Sequence, residues 1–491
     1  MLHRAALLCG TTVLGCGAPQ APATPPSPPT SPEISIVSGA RIVTPGRAPI
    51  EHGFIVIEGE RIREVGRGTP PAIAGAHRLD VEGRTVTPGL IDAHVHLGST
   101  PGLDPAPAEV KAAYFEQLPR SYLYYGFTTV VDLAPGPDAA IERVQASPLH
   151  PDVVHCGGGV SAWNGYPMVF APEPERARLF PHFVVEPGTE GLPESVDPAA
   201  HQPAAVVEAL ASSGASCVKA FSEDGFGAPI WPSLSEETLR SIGREAKARD
   251  LTFVVHANSL AAHQTAVTAG ADVIAHGAWN WDDDHDHPGL PPAAEALVDQ
   301  LTSSGTAVMP TFRVIDGLGD LVAGGFENDP ALAAVLPSSV LAWYATPAAG
   351  YFRETLVAAG DEARATAVYE DASDRGQRVV SALRNAGGTL VFGSDTPSSP
   401  TMTNPPGYNG FLELRAWADL GVPPAEILEA ATLNAARAFG LEPDAGTIEA
   451  GKLANLLVLD GDPLTTVEAF DQIHVVIVRG TAVPRDQLAA E

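Results

Sequence analysis

Between residues 88 and 440, short apolar runs recur along the chain. Most are separated by stretches whose apolar positions repeat at helical spacing. Eight runs read as strands: 90–96, 128–132, 153–157, 217–220, 252–256, 273–276, 307–310 and 390–395. They are mostly continuous rather than alternating, the pattern of strands covered on both faces. Among the intervening stretches, 236–249 predicts a helix with Ser235 as N-cap, Glu236 and Glu237 in the first turn, and Leu239, Ile242 and Ala246 on one face. A second, 424–439, starts after Pro423 and stops at Gly440. This alternation predicts an α/β fold, a parallel (β/α)8 TIM barrel over 88–440. Two stretches exceed the repeat: 158–205, rich in Pro and Gly, and 313–380, mostly helical in pattern. They read as insertions that wall or cover a pocket.

The two ends have a different texture. Residues 35–43 and 53–62 are strand-like, with Glu58-Gly59-Glu60 as a hairpin turn, and 454–460 and 473–480 repeat the pattern. Segments 34–87 and 441–485 are therefore expected to assemble one small β-sandwich from both chain ends.

Composition narrows the function. The 491 residues are 45% hydrophobic and 18% charged, enough apolar material for a large core. Asp and Glu number 59 against 29 Lys and Arg, a formal charge of −30, which argues against nucleic acid or an anionic bilayer as a partner. Residues 1–16 read as an export signal: a polar start at His3 and Arg4, an apolar middle, and Val13-Leu14-Gly15-Cys16 resembling a bacterial lipobox with Cys16 as the lipidated residue. The apolar stretch is too short to span a bilayer. Residues 17–33 are a Pro-rich tether reaching roughly 50 Å. The expectation is an exported protein, a cell-envelope lipoprotein or periplasmic, touching membrane only through a lipid anchor. Cys156 and Cys217 sit in apolar runs and read as small buried hydrophobes without a disulfide framework.

The polar residues at the strand ends carry the chemistry. His94 and His96 lie two apart on the first strand and so point the same way. Lys219 ends the fourth strand, His256 the fifth, His276 the sixth and Asp395 the eighth. Barrel active sites are built at this carboxyl face, and imidazoles converging with a carboxylate there point to a metal site. Tyr166 and Trp279, in loops after the third and sixth strands, are candidate substrate contacts, as are Trp163 and Trp281. The acidic run 282–287 reads as a solvated loop and His155 as a core residue.

The set His94-x-His96, Lys219, His256, His276 and Asp395 resembles the amidohydrolase superfamily of metal-dependent hydrolases. The text around it agrees, from Thr87-Pro88-Gly89-Leu90-Ile91-Asp92 into His94, through Ala269–Gly277, to 431–440 and 446–459. The sequence is most similar to the branch of imidazolonepropionases and prolidase-like dipeptidases, although His256-Ala257-Asn258 stands where those dipeptidases often have His-Ala-His.

The resemblance implies hydrolysis of an amide, cyclic amide or dipeptide-type C–N bond on a small molecule or short peptide. It implies two divalent ions, zinc or else manganese, cobalt or iron, with His94, His96 and Asp395 on one and His256 and His276 on the other. Lys219, carboxylated by carbon dioxide to a carbamate, would bridge them with a hydroxide nucleophile, and Asp395 would act as general base and then acid. A mononuclear aminohydrolase (deaminase) or imidazolonepropionase-like enzyme stays open, as does a non-catalytic surface binding protein. A homo-oligomer is compatible with all of these.

Overall fold

The structure is a computed structural model that describes residues 33–133, 138–226, 230–357, 362–398 and 400–491. The expected signal at 1–16, Cys16 and all of the tether but its last residue lie outside the described residues.

Seven barrel strands are Leu90–Val95, Phe127–Asp132, Asp152–His155, Cys217–Ser222, Thr252–Ala257, Val273–Ala275 and Ala307–Met309. The first three pair in parallel, as do the fourth to seventh. The N–H of Ser216 donates to the carbonyl of His155 at 2.9 Å and joins the two groups. Segment 390–396 closes the ring: Val391 N–H donates to Val308 O at 3.0 Å, Ala93 N–H to Phe392 O at 3.2 Å, and His96 N–H to Thr396 O at 2.8 Å. The chain is thus a closed (β/α)8 barrel, with helices between strands on its outer side.

The third and eighth strands differ from the sequence expectation, and the fourth continues past Lys219 to Ser222, so that Lys219 lies within it rather than at its end. The third ends at His155, not at 157; Gly157 and Gly158 take positive φ, and the chain resumes as Gly159–Ala162 beside the fourth strand. The eighth, expected over 390–395, forms only single bridges, Leu390 with Val308 and Thr396 with Val95. Its course is set by close packing and by its last residue. A Cβ on Gly393 would meet Met309 Sδ at 2.2 Å, and Asp395 turns into the left-handed region at φ 55°.

The cysteine expectation is corrected. Cys156 and Cys217 are bonded as a disulfide, with Cα atoms 4.4 Å apart. Both are buried in the barrel floor beside Val131, Val254 and Met309. Side-by-side packing of strands three and four sets the residue after one against the start of the other, a proximity that a sequence separation of 61 hides.

Helix Glu236–Lys247 forms as expected, its Ser235 side chain accepting the Thr238 N–H. The expected helix at 424–439 runs Pro424–Glu429, a π turn Ala430–Asn434, and Ala435–Ala438. Both chain ends build one β domain. Ile34–Ile42 pairs with Ile50–Glu58, and Thr85–Pro88 with Leu456–Leu459. Its eight strands form one hydrogen-bonded sheet, and contacts such as Ile62 N–H to Lys452 O at 2.9 Å fold the sheet over a core of Val37, Ile55, Ile57, Val458 and Ile477. Thr85–Pro88 runs almost directly into the first barrel strand, which ties that domain to the floor of the site. Among the described residues, no helix is long and apolar enough to cross a membrane.

Candidate metal centre

Strand alternation turns His94 and His96 to one side, where Asp395 meets them. His96 Nε2 is 2.6 Å and His94 Nε2 is 3.3 Å from Asp395 Oδ1. Donor atoms of these three residues all lie within 4.8 Å of one another, so one ion fits among them. His276 Nδ1 stands 3.8 Å from Asp395 Oδ2, and the His276 ring lies 5.2 Å from His94 and 4.5 Å from His256. Four imidazoles and a carboxylate therefore gather at the carboxyl mouth of the barrel, with His96 the least buried.

Lys219 shares the site. Its side chain is 1% exposed and Nζ has no hydrogen-bond partner. Burial brings its pKa down to about 7, while Asp395 pulls the other way. Burial, with the charge of Lys219 and of neighbouring imidazoles, holds His94 and His276 well below the ordinary histidine range. His256 is lowered by burial, against the opposing pull of Glu223. Burial pushes Asp395 up, but His96 foremost, then Lys219 and His256, outweigh it and keep the carboxylate charged. Neutral imidazoles and an ionised carboxylate are donors suited to a divalent cation, and a buried amine without a hydrogen-bond partner stands beside them. His94 Nδ1 is likewise buried without a partner. The residues fit the metal.

Backbone conformations at the mouth are unusual. His276, Thr311 and Asp395 have φ of 86°, 50° and 55°, each at a strand exit. Such residues cost energy and persist where the surroundings hold them. Thr311 Oγ1 lies 2.7 Å from His276 Nδ1 and orients that ring.

Glu223 with Asn258, Asp92 and Thr311 also shape the site, though none of them ends an apolar run in the sequence. Glu223 is buried, with Oε2 3.4 Å from His256 Nε2. The Asn258 amide donates both to Glu223 Oε2 at 2.7 Å and to His256 Nε2 at 3.2 Å. The signal was parity, since Lys219, Phe221 and Glu223 share one side of a strand and its extension. Asp92 accepts the N–H of His94 at 3.2 Å and of Ser394 at 2.9 Å, so it ties the first strand to the eighth; burial raises it to about 7. Thr311, which orients His276, lies one residue past the seventh run.

Of the loop aromatics, the Tyr166 ring stacks on His256 at 4.8 Å and Trp279 lies 5.4 Å from His276. Trp163 packs against Phe183, and Trp281 is buried with its indole N–H donating to Ala278 O at 2.8 Å. His155 is half-buried, and 282–287 is a largely exposed loop holding a short turn at Asp282–Asp284.

Comparison with known proteins follows the same outline. The amidohydrolase family matches residues 85–278 and 353–483, which contain all six candidate metal-site side chains. A dihydroorotase of Trichlorobacter lovleyi is 38% identical over 69 residues, 14% of this chain; the chain thus spans only 16% of that enzyme's length. An imidazolonepropionase of Hyphomonas neptunium is 26% identical over 486 residues, covering 91% of this chain and 98% of that one. A solved prolidase bound to N-methylphosphonate-L-proline is 24% identical and covers 92% of this chain and 100% of its own, with a TM-score of 0.66, a likeness of fold.

Proposed function

The chain belongs to the amidohydrolase family, and on that premise we propose that it is a metal-dependent hydrolase cleaving a C–N bond in an amide, cyclic amide or dipeptide-type substrate. The observation that carries the reading is the buried, partnerless Lys219 amine among His94, His96, His256, His276 and Asp395. His94, His96 and Asp395 would hold one ion, and His256 with His276 a second. Lys219, free as an amine in part of the population near neutrality, would attack carbon dioxide through Nζ, lose a proton and become an anionic carbamate reaching both positions. Zinc suits this imidazole-rich set, with manganese, cobalt or iron as alternatives. A pair of bound divalent ions would supply an acidified water and polarise the scissile carbonyl.

The protein's own groups do the rest. Asp395, kept ionised by His96 and Lys219, would accept the water's proton and pass it to the leaving nitrogen. Tyr166 and Trp279 flank the imidazoles, where substrate would lie. The near full-length likeness to an imidazolonepropionase favours a cyclic amide. Export and lipidation at Cys16 belong to the same proposal, and a buried disulfide supports an oxidising compartment.

A mononuclear enzyme of the aminohydrolase kind is the second reading. Among the described residues, only His94, His96 and Asp395 form a compact three-donor cluster. Purified protein loaded with zinc, manganese or cobalt plus bicarbonate, assayed on dipeptide and lactam panels, separates the two. Two ions per chain are expected, with a loss of about 100-fold or more in Lys219→Ala. One ion per chain selects the mononuclear reading. Full activity in Lys219→Ala, or in metal-free protein, overturns the proposal.

A further inference from the structure

The rim beside the third and fourth strands is a continuous aromatic wall. Tyr166, stacked on the ligand His256, also meets Phe221 edge-on at 5.5 Å. Further out it lies nearly parallel to Trp231 at 5.9 Å and edge-on to Phe226 at 5.6 Å. Phe170 and Phe226 each set an edge against Trp231, at 5.4 and 5.1 Å. The rings therefore run without a break from an imidazole of the metal centre out to solvent.

The outer end is left in water. Phe170 and Phe226 are each 65% exposed, and Ile230, next to Trp231 in the chain, is 68% exposed. Among the described residues the exposed large hydrophobics are Phe170, Leu179, Phe226, Ile230 and Val368, so most of them belong to this rim. Single exposed apolar residues are ordinary, whereas a gathered patch marks something that covers it. Because the patch continues into the site, its occupant is a molecule that enters the site.

We infer that this rim is a subsite for a ring or other flat apolar group of the substrate, seated against Tyr166, Trp231, Phe170 and Phe226 beyond the bond to be cleaved. The inference rests on the hydrolytic reading of the metal centre. Parallel and edge-on contacts of this kind select flat groups over compact ones, and burial of the exposed rings adds to the attraction.

The test is binding, so that it stands apart from turnover. Zinc-loaded protein is titrated calorimetrically with 2-phenylethylphosphonate and with ethylphosphonate, which share an anionic head and differ by the ring. The phenyl probe is expected to bind about tenfold tighter, a gain of the size that one well-packed aromatic group brings. Trp231→Ala and Phe170→Ala should each cut that gain to about threefold or less while ethylphosphonate stays within about twofold; Trp231→Phe should keep it. Equal affinities in the wild type, or a gain untouched by both alanine variants, overturn the inference. A ring preference in a protein that hydrolyses no amide would uphold the subsite and sink the hydrolytic reading instead.

Discussion

At Lys219 two forces oppose each other. An ammonium with no hydrogen-bond partner inside a barrel mouth is costly, and burial answers by bringing its pKa down to about 7, which makes the free amine accessible near neutrality. That amine is the form able to capture carbon dioxide, and the resulting carbamate would turn an unwanted cation into an anion among four imidazoles. Glu223 stands beside His256, its Oε2 3.4 Å from Nε2, and is linked to the ring through the Asn258 amide. Glu223→Gln removes a buried carboxylate beside the proposed second ion position. Zinc affinity there should fall by about 10- to 100-fold, the usual cost of losing an outer partner of a metal-binding histidine, as measured by equilibrium dialysis. An unchanged zinc affinity would show that Glu223 does not support His256. The six side chains proposed as ligands were legible because each ends an apolar run. Glu223 shares the side of Lys219 by strand parity, but that it faces His256 of the fifth strand was settled only by the fold.

At the scale of elements, cross-links between strands and helices hold the barrel together from its floor to its mouth. The Cys156–Cys217 disulfide clips the end of strand three to the start of strand four, two residues before Lys219. In the chain-entropy account a loop of this length contributes about 4 kcal/mol. The double variant Cys156→Ala/Cys217→Ala should melt several degrees lower in calorimetry, and an unchanged midpoint would show the bond to be structurally idle. Helix Phe312–Ala323, after strand seven, is anchored by Glu413. Its carboxylate accepts the N–H of Phe312 at 3.0 Å and Arg313 at 2.7 Å, and the Trp417 indole N–H at 2.7 Å. Burial outweighs these donors and raises its pKa to about 8 from an ordinary 4.5. The folded protein thus binds a proton that the unfolded chain has released. Its contribution to stability is full below about pH 4.5 and is lost as pH rises through about 8. Midpoints measured from about pH 5 to about pH 9 at fixed ionic strength should fall less steeply in Glu413→Gln than in wild type, and equal slopes would contradict the raised pKa.

For the molecule as a whole, the metal site joins strands that are distant in the chain, from His94 to Asp395, so ions that bind only the folded state stabilise all of it. Dialysis against a chelator should lower the melting midpoint and zinc should restore it; ions held at about 1,000 times their dissociation constant add about 4 kcal/mol. A midpoint indifferent to chelation would mean that no ion is held. By itself the sequence determined the alternation of buried strands and helices, the β-rich ends and the polar residues closing each run, since period, capping and side-chain chemistry are local properties of a chain. What faces what was decided only by closure of the barrel. The cystine, the irregular course of 390–396, the carboxylate of Glu223 beside His256 and the aromatic rim all depend on distances between segments that lie tens of residues apart, and no local pattern encodes a distance of that kind.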